Sequence, residues 1–216
     1  MVPPGWKAAQ NHELEWWSSL KDRLESPETR DRKREAAEEI WREIVSIPST
    51  IGLRRVLEVG TGGDGWVNFL PPPYRVGLEP LLLDMKRRGV GIFDPSVRFV
   101  SGVGERLPFR DDSFDVVFSY NVLDHMADPE RGLDELRRVL RKDGIMHFLV
   151  DTYSLAFLLY RRFYKPDPYH PNTFTLRRIR RMLDSRGFRV VIDRSDQVPR
   201  GRRRNIKFRV FCVREK

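Results

Sequence analysis

Residues 55–79 hold the densest chemistry in this chain: R-V-L-E-V-G-T-G-G-D-G-W, then R-V-G-L-E-P. An apolar run is followed by a glycine cluster, a second apolar run and a carboxylate that closes it. Val56, Leu57 and Val59 are a short β-favouring stretch suited to a buried parallel strand. Gly60 and Gly62 let the main chain turn tightly with no Cβ in the way, so a ligand can approach the backbone itself. Residues 66–70 can begin a helix whose free N–H groups would face that ligand. Glu79 stands 19 residues after Gly60, a separation that suits a carboxylate gripping the two hydroxyls of a ribose. The pattern predicts nucleotide binding; the plainer alternative makes Glu79 a turn acid or the partner of an arginine.

Gly60, Gly62 and Gly65 also satisfy G-x-G-x-x-G, which by itself leaves NAD open. Further along, the chain reads G-V-G-E-R-L-P-F-R-D-D-S-F-D-V-V-F-S-Y-N-V-L-D-H-M from Gly102. Together with L-E-V-G-T-G, this resembles the class I S-adenosylmethionine-dependent methyltransferases over about residues 54–151. The resemblance implies an α/β fold: a Rossmann-like, seven-stranded, mostly parallel sheet with an antiparallel C-terminal hairpin. It implies S-adenosylmethionine as cofactor and no obligatory metal. By the family pattern Glu58, Gly60, Thr61 and Gly62 would border the methionine part, Glu79 would hold the ribose and Pro80 would lie beside the adenine. Val103, Gly104 and Glu105 would border the ring, and Tyr120 would pass its backbone under the methionyl end. Two positions depart from the pattern. Asp64 stands where a third glycine is usual, and Val103 stands where an acid usually accepts a hydrogen bond from the adenine amino group.

His125, in S-Y-N-V-L-D-H-M, follows the fourth expected strand and is the candidate base for an acceptor hydroxyl or amine. Asp151, Tyr153 and His170 follow the fifth, on the sheet edge where ligands bind in such folds. His147 falls inside that strand and reads as a core histidine. The aromatic, proline-punctuated stretch at residues 160–174 is long for a connector, and such connectors are often binding loops.

The 216 residues suit one α/β domain with an appendage and are too few for two full enzyme domains. We read residues 1–50 as a helical extension, a lid or dimer element, and 51–216 as the methyltransferase core. Within the extension, helical spacing from 11 to 47 predicts two helices broken near Ser26 and Pro27. Four of the five tryptophans, Trp6, Trp16, Trp17 and Trp41, lie in this first quarter, too much aromatic area to leave in water. Trp16 and Trp17 read either as core packing or as a lid over cofactor or substrate. Strands are expected near 55–59, 74–78, 97–101, 114–120, 144–150, 188–193 and 206–213. Helices are expected near 65–70, 80–88, 129–141, 153–163 and 174–186.

No apolar run is long enough for a membrane span, and no signal-peptide core is present, so the reading is a soluble, cytoplasmic protein. Cys212, the single cysteine, excludes an internal disulfide and a cysteine metal cluster. The net charge of +9 favours polyanionic partners, and arginines concentrate at 177–181 and 200–204. The leading expectation is methyl transfer to a small-molecule, sugar or lipid-like acceptor. RNA methylation through the arginine patches, a non-catalytic protein retaining the fold, and an NAD-linked oxidoreductase are the alternatives; nucleic acid and a homo-oligomer stay open as partners.

Overall fold

The computed structural model describes residues 6–164, 170–200 and 203–215. Three helices come first: α1 (Trp6–Ser19), α2 (Lys21–Glu25) and α3 (Pro27–Ser46). The sheet region follows with β1 (Arg55–Val59), a 3-10 turn (Trp66–Asn68), β2 (Tyr74–Leu78), α4 (Leu82–Arg88), β3 (Arg98–Val100) and β4 (Phe114–Tyr120). It continues through α5 (Pro129–Val139), β5 (Leu140–Thr152), α6 (Leu155–Tyr164), α7 (Leu176–Asp184), β6 (Phe188–Asp193), β7 (Asp196–Arg200) and β8 (Arg203–Arg214).

The strands run in the order β3-β2-β1-β4-β5-β8-β6. The first five are parallel, and β8 lies antiparallel to both β5 and β6. This is the mixed, Rossmann-like seven-stranded sheet with an antiparallel end. One element exceeds the expectation: β7 pairs with the outer part of β8, which therefore begins at Arg203 rather than 206.

Side-chain alternation explains the two cores. Leu57 and Val117 on one face join Leu133, Leu136 and Ile179 from α5 and α7. Their neighbours Val56 and Val116 point the other way, onto Ala37, Ile40 and Ile44 of α3. That second face is covered by α3 because the connection after β1 is too short to cover it. The helix expected over 65–70 is only the 3-10 turn Trp66–Asn68, and Pro71, Pro72 and Pro73 prevent its extension.

The break expected near Ser26 and Pro27 is present: Ser26 is extended, its hydroxyl accepts from the Thr29 N–H at 3.2 Å, and Pro27 opens α3. A further break at Leu20 separates α1 from α2. The bend brings Leu14 and Leu24 into one apolar cluster with Leu81, Met85 and Val90 around α4. Strand β5 starts directly after α5, earlier than expected, because the register against β4 shifts between Phe114 and Val116. Asp143, at φ +60°, and Gly144, where a Cβ would lie 2.7 Å from the Arg141 carbonyl oxygen, absorb the irregularity. Among the described residues no helix is long and apolar enough to cross a membrane.

Candidate active site: a glycine turn roofed by helix α1

The turn after β1 is held by main chain and carboxylates. The Gly60 N–H donates to the Leu78 carbonyl at 2.8 Å, and Gly60 adopts φ +72° against the side chain of Val122. Gly62, at φ +53°, donates its N–H to Glu79 Oε2 at 2.9 Å, while Glu79 Oε1 accepts from the Leu81 N–H at 2.9 Å. Glu79 is therefore buried and turned toward the glycine turn. Burial raises its pKa, and the two N–H donors partly oppose the rise.

Glu58 serves the same turn from below. Its Oε2 accepts the Val67 N–H at 3.0 Å, and burial pushes its pKa up to about 7 against the pull of Val67 and Lys33. This corrects one expectation: the Val67 N–H, in the segment expected to face a ligand, is taken up inside the protein by Glu58. Asp64, which replaces the usual glycine, binds Lys33 Nζ of α3 at 2.9 Å. The same ammonium sits 4.0 Å from the centre of the Trp66 ring.

Helix α1 lies over this surface. The Trp17 indole packs directly on Gly62 and Gly63, leaving no room for a Cβ at either. Beside it a cavity of about 40 Å³ lies between Trp6 and Gln10 of α1 and a wall that includes Gly60, Pro80, Val103, Gly104, Glu105 and His125. Gln10 is 8 % exposed, and its Oε1 is buried with no hydrogen-bond partner among the described residues.

The residues expected at the site thus divide. Gly60, Pro80, Val103, Gly104, Glu105 and His125 line the cavity; Glu58, Thr61, Gly62, Glu79 and Tyr120 do not. Thr61 is buried, with its hydroxyl 3.3 Å from the Gly62 carbonyl. The Tyr120 ring lies on the α3 face, its hydroxyl 2.8 Å from His147 Nδ1, and burial drives its pKa well up. Glu105 accepts the Ala127 N–H at 2.6 Å and so also holds the turn before α5. His147 is buried, stacked on Phe211 at 3.8 Å, and kept neutral because burial holds its pKa well below the usual imidazole range.

A second group of polar side chains gathers at the carboxyl ends of β4 and β5. His125 Nε2 lies 3.8 Å from Glu13 Oε1 of α1, and the rings of His125 and His170 are 4.7 Å apart. Asp124 beside them is buried; burial raises its pKa, and the two histidines oppose the rise. Tyr153 stacks on Phe157 instead, and residues 165–169 of the aromatic connector lie outside the described residues. The sequence reading missed Gln10 and Glu13. Its available signal was spacing: positions 6, 10, 13 and 17 form one stripe of a helix, with two polar residues set between tryptophans.

Comparison with known proteins agrees with this architecture. A methyltransferase-domain family matches residues 57–148. The uncharacterized methyltransferase YcgJ of Bacillus subtilis is 42% identical over 59 residues, 27% of this chain and 23% of that protein. The demethylmenaquinone methyltransferase of Deinococcus radiodurans is 39% identical over 97 residues, 42% of this chain and 40% of that protein. The chain thus matches well under half the length of these curated relatives. The YcgJ crystal structure superposes with a TM-score of 0.61 at 15% identity, covering 84% of this chain and 99% of that one. The [4+2]-cyclase SpnF does so with 0.59 at 17% identity, covering 90% and 76%. Both structural likenesses speak for the fold alone.

Proposed function

We propose that the chain is a class I S-adenosylmethionine-dependent methyltransferase and that it transfers a methyl group to a small-molecule, sugar or lipid-like acceptor. The observation that carries the reading is the glycine turn beside a buried acid: Gly60 borders the cavity under α1, and Gly62 donates its N–H to the buried Glu79 carboxylate. The donor set fits an adenosyl cofactor. Glu79 would hold the ribose, Gly60 and Gly62 the methionine part, and Pro80, Val103 and Gly104 the ring.

The room fits only with α1 displaced. Ligand pockets for molecules of this size run to about 300 Å³ or more, whereas the cavity here is about 40 Å³. Cofactor binding in this reading lifts the Trp17 side of α1 from the turn. Gln10 then supplies what Val103 cannot: its unpartnered Oε1 is a buried acceptor available to an amino group in the cavity. When bound, S-adenosylmethionine supplies an electrophilic methyl on a sulfonium whose leaving group is a neutral thioether. The protein's own part is to orient the acceptor, exclude water and take its proton, for which His125 is the candidate base.

A small acceptor is favoured because α1 roofs the cleft. On the arginine-rich helix α7, Arg180 is bound to Asp193 at 2.5 Å and stacked over Phe208 at 5.0 Å. A demethylmenaquinone methyltransferase among the relatives is consistent with an apolar acceptor. Calorimetry tests the cofactor half of the proposal: S-adenosylhomocysteine should bind the wild type, and Glu79→Ala should weaken it at least tenfold. No heat at millimolar ligand would end the reading.

A further inference from the structure

We propose that Glu13, His125 and His170 form a binding site for one divalent transition-metal ion, zinc by preference, that fastens helix α1 to the carboxyl edge of the sheet. The three side chains come from α1, the turn after β4 and the segment before α7, and all are half-buried. One ligand atom from each lies within 4.8 Å of the others.

An ordinary ion pair accounts poorly for the arrangement. At 3.8 Å, Glu13 Oε1 and His125 Nε2 face each other across a gap longer than a hydrogen bond, with the second imidazole alongside. Tetrahedral zinc, with bonds of about 2.0 Å, needs ligand atoms about 3.3 Å apart. Small side-chain rotations close that difference, so the three ligand atoms are within reach of one shared ion.

The surroundings supply a second observation. Among the described residues His125 Nδ1 is buried without a hydrogen-bond partner, and so is Oδ1 of Asp124, a side chain 9 % exposed. A metal-bound histidine characteristically donates its remaining N–H to a carboxylate or carbonyl; Asp124 Oδ1 is an acceptor of that kind on the neighbouring residue, and the two atoms are not hydrogen-bonded to each other here. The backbone around it is fixed: the Asn172 N–H donates to the Asp124 carbonyl at 3.1 Å, and the Asn172 amide donates to the Met126 carbonyl at 2.5 Å.

Two imidazoles and one carboxylate suit zinc, cobalt, nickel or ferrous iron, and not calcium or magnesium, which prefer all-oxygen sets. Three protein ligands leave a position for water, and an ion on His125 Nε2 takes the lone pair a base needs, so the metal-bound form is one in which His125 does not act as the base. His125 also lines the cavity under α1, so the ion would hold that helix down beside the glycine turn. This last consequence rests on the cofactor reading of the cleft; the metal site does not.

The test is titration of tag-free protein with Co²⁺ followed by visible absorption, and with Zn²⁺ by calorimetry. One equivalent per chain is expected, with at least a tenfold loss of affinity in His125→Ala and His170→Ala. Glu13→Gln, on a half-buried helix surface, guards against misfolding of the histidine variants and should also weaken binding about tenfold. His12→Ala, exposed on the same helix, should leave the titration unchanged. Metal should also slow proteolysis within α1. Absence of stoichiometric binding, or binding indifferent to all three ligand substitutions, overturns the proposal. Stoichiometric metal binding by protein that gives no heat with S-adenosylhomocysteine supports the metal site even as it ends the methyltransferase reading.

Discussion

Trp17 rests on Gly62: the indole of α1 covers the N–H-bearing turn that donates to Glu79. In the proposed cofactor site the same main chain cannot contact an indole and a cofactor together, so the two would compete. Replacing Trp17 by Ala should therefore tighten S-adenosylhomocysteine binding severalfold, read by calorimetry. The half-buried ring also contributes packing with Leu24, and its loss should cost about 2 kcal/mol of stability, below the range for a fully buried tryptophan. Weaker ligand binding in this variant would make Trp17 part of the cofactor site rather than its competitor.

Glu58 gives the fold a pH dependence of known sign. Its carboxyl is 2 % exposed and titrates at about 7 in the folded protein against 4.5 for the ordinary value. Between those pH values the unfolded chain has lost the proton that the folded chain keeps, so this group's contribution to stability falls as pH rises from 4.5 and levels off above about 7. The full swing is about 3 kcal/mol. Glu58→Gln, which stays neutral, should flatten the corresponding part of the curve of melting temperature against pH. An unchanged slope would remove Glu58 as its source.

Lys33 supports both Asp64 and Glu58 from α3. Lys33→Met should lose about 1 kcal/mol, because the ion pair is only partly screened from water and the contact with Trp66 is lost too. It should also move the Glu58 inflection above its wild-type position, since the ammonium favours the ionised carboxylate. A stability loss without that movement would confine Lys33 to the Asp64 contact.

Gly60 combines a positive φ with contact against Val122. Gly60→Ala should cost about 1–2 kcal/mol for the left-handed backbone alone, and more for the collision. Adding Val122→Ala should recover the collision part and leave the backbone part. Chemical denaturation of the two variants separates the contributions; no recovery would mean that the turn itself has rearranged.

The strands and the glycine turn were legible because each is a local matter. Val56, Leu57 and Val59 declare a buried strand, and Gly60 and Gly62 declare the turn, within a few residues of chain. Glu79 was legible in position but not in its bonds, since the Gly62 and Leu81 N–H groups that hold it depend on how the turn closes. His125 and His170 could be named from their places after strands. Glu13 could not, because a helix-surface acid acquires meaning only when α1 docks, and an amphipathic stripe announces burial without naming what it is buried against. The early start of β5 at Leu140 was hidden for a related reason: a register shift belongs to a pair of strands, not to either sequence alone.

The stunted connection after β1 has one more effect. Because it leaves Val67, Leu70, Val116 and Phe118 to be covered by Ala37, Ile40 and Ile44, the leading segment is masonry in the rear wall as well as a shutter at the front. A protein trimmed to begin after residue 50 would bare that wall and clump, so any trimming meant to open the cleft must stop short of Pro27, where α3 begins.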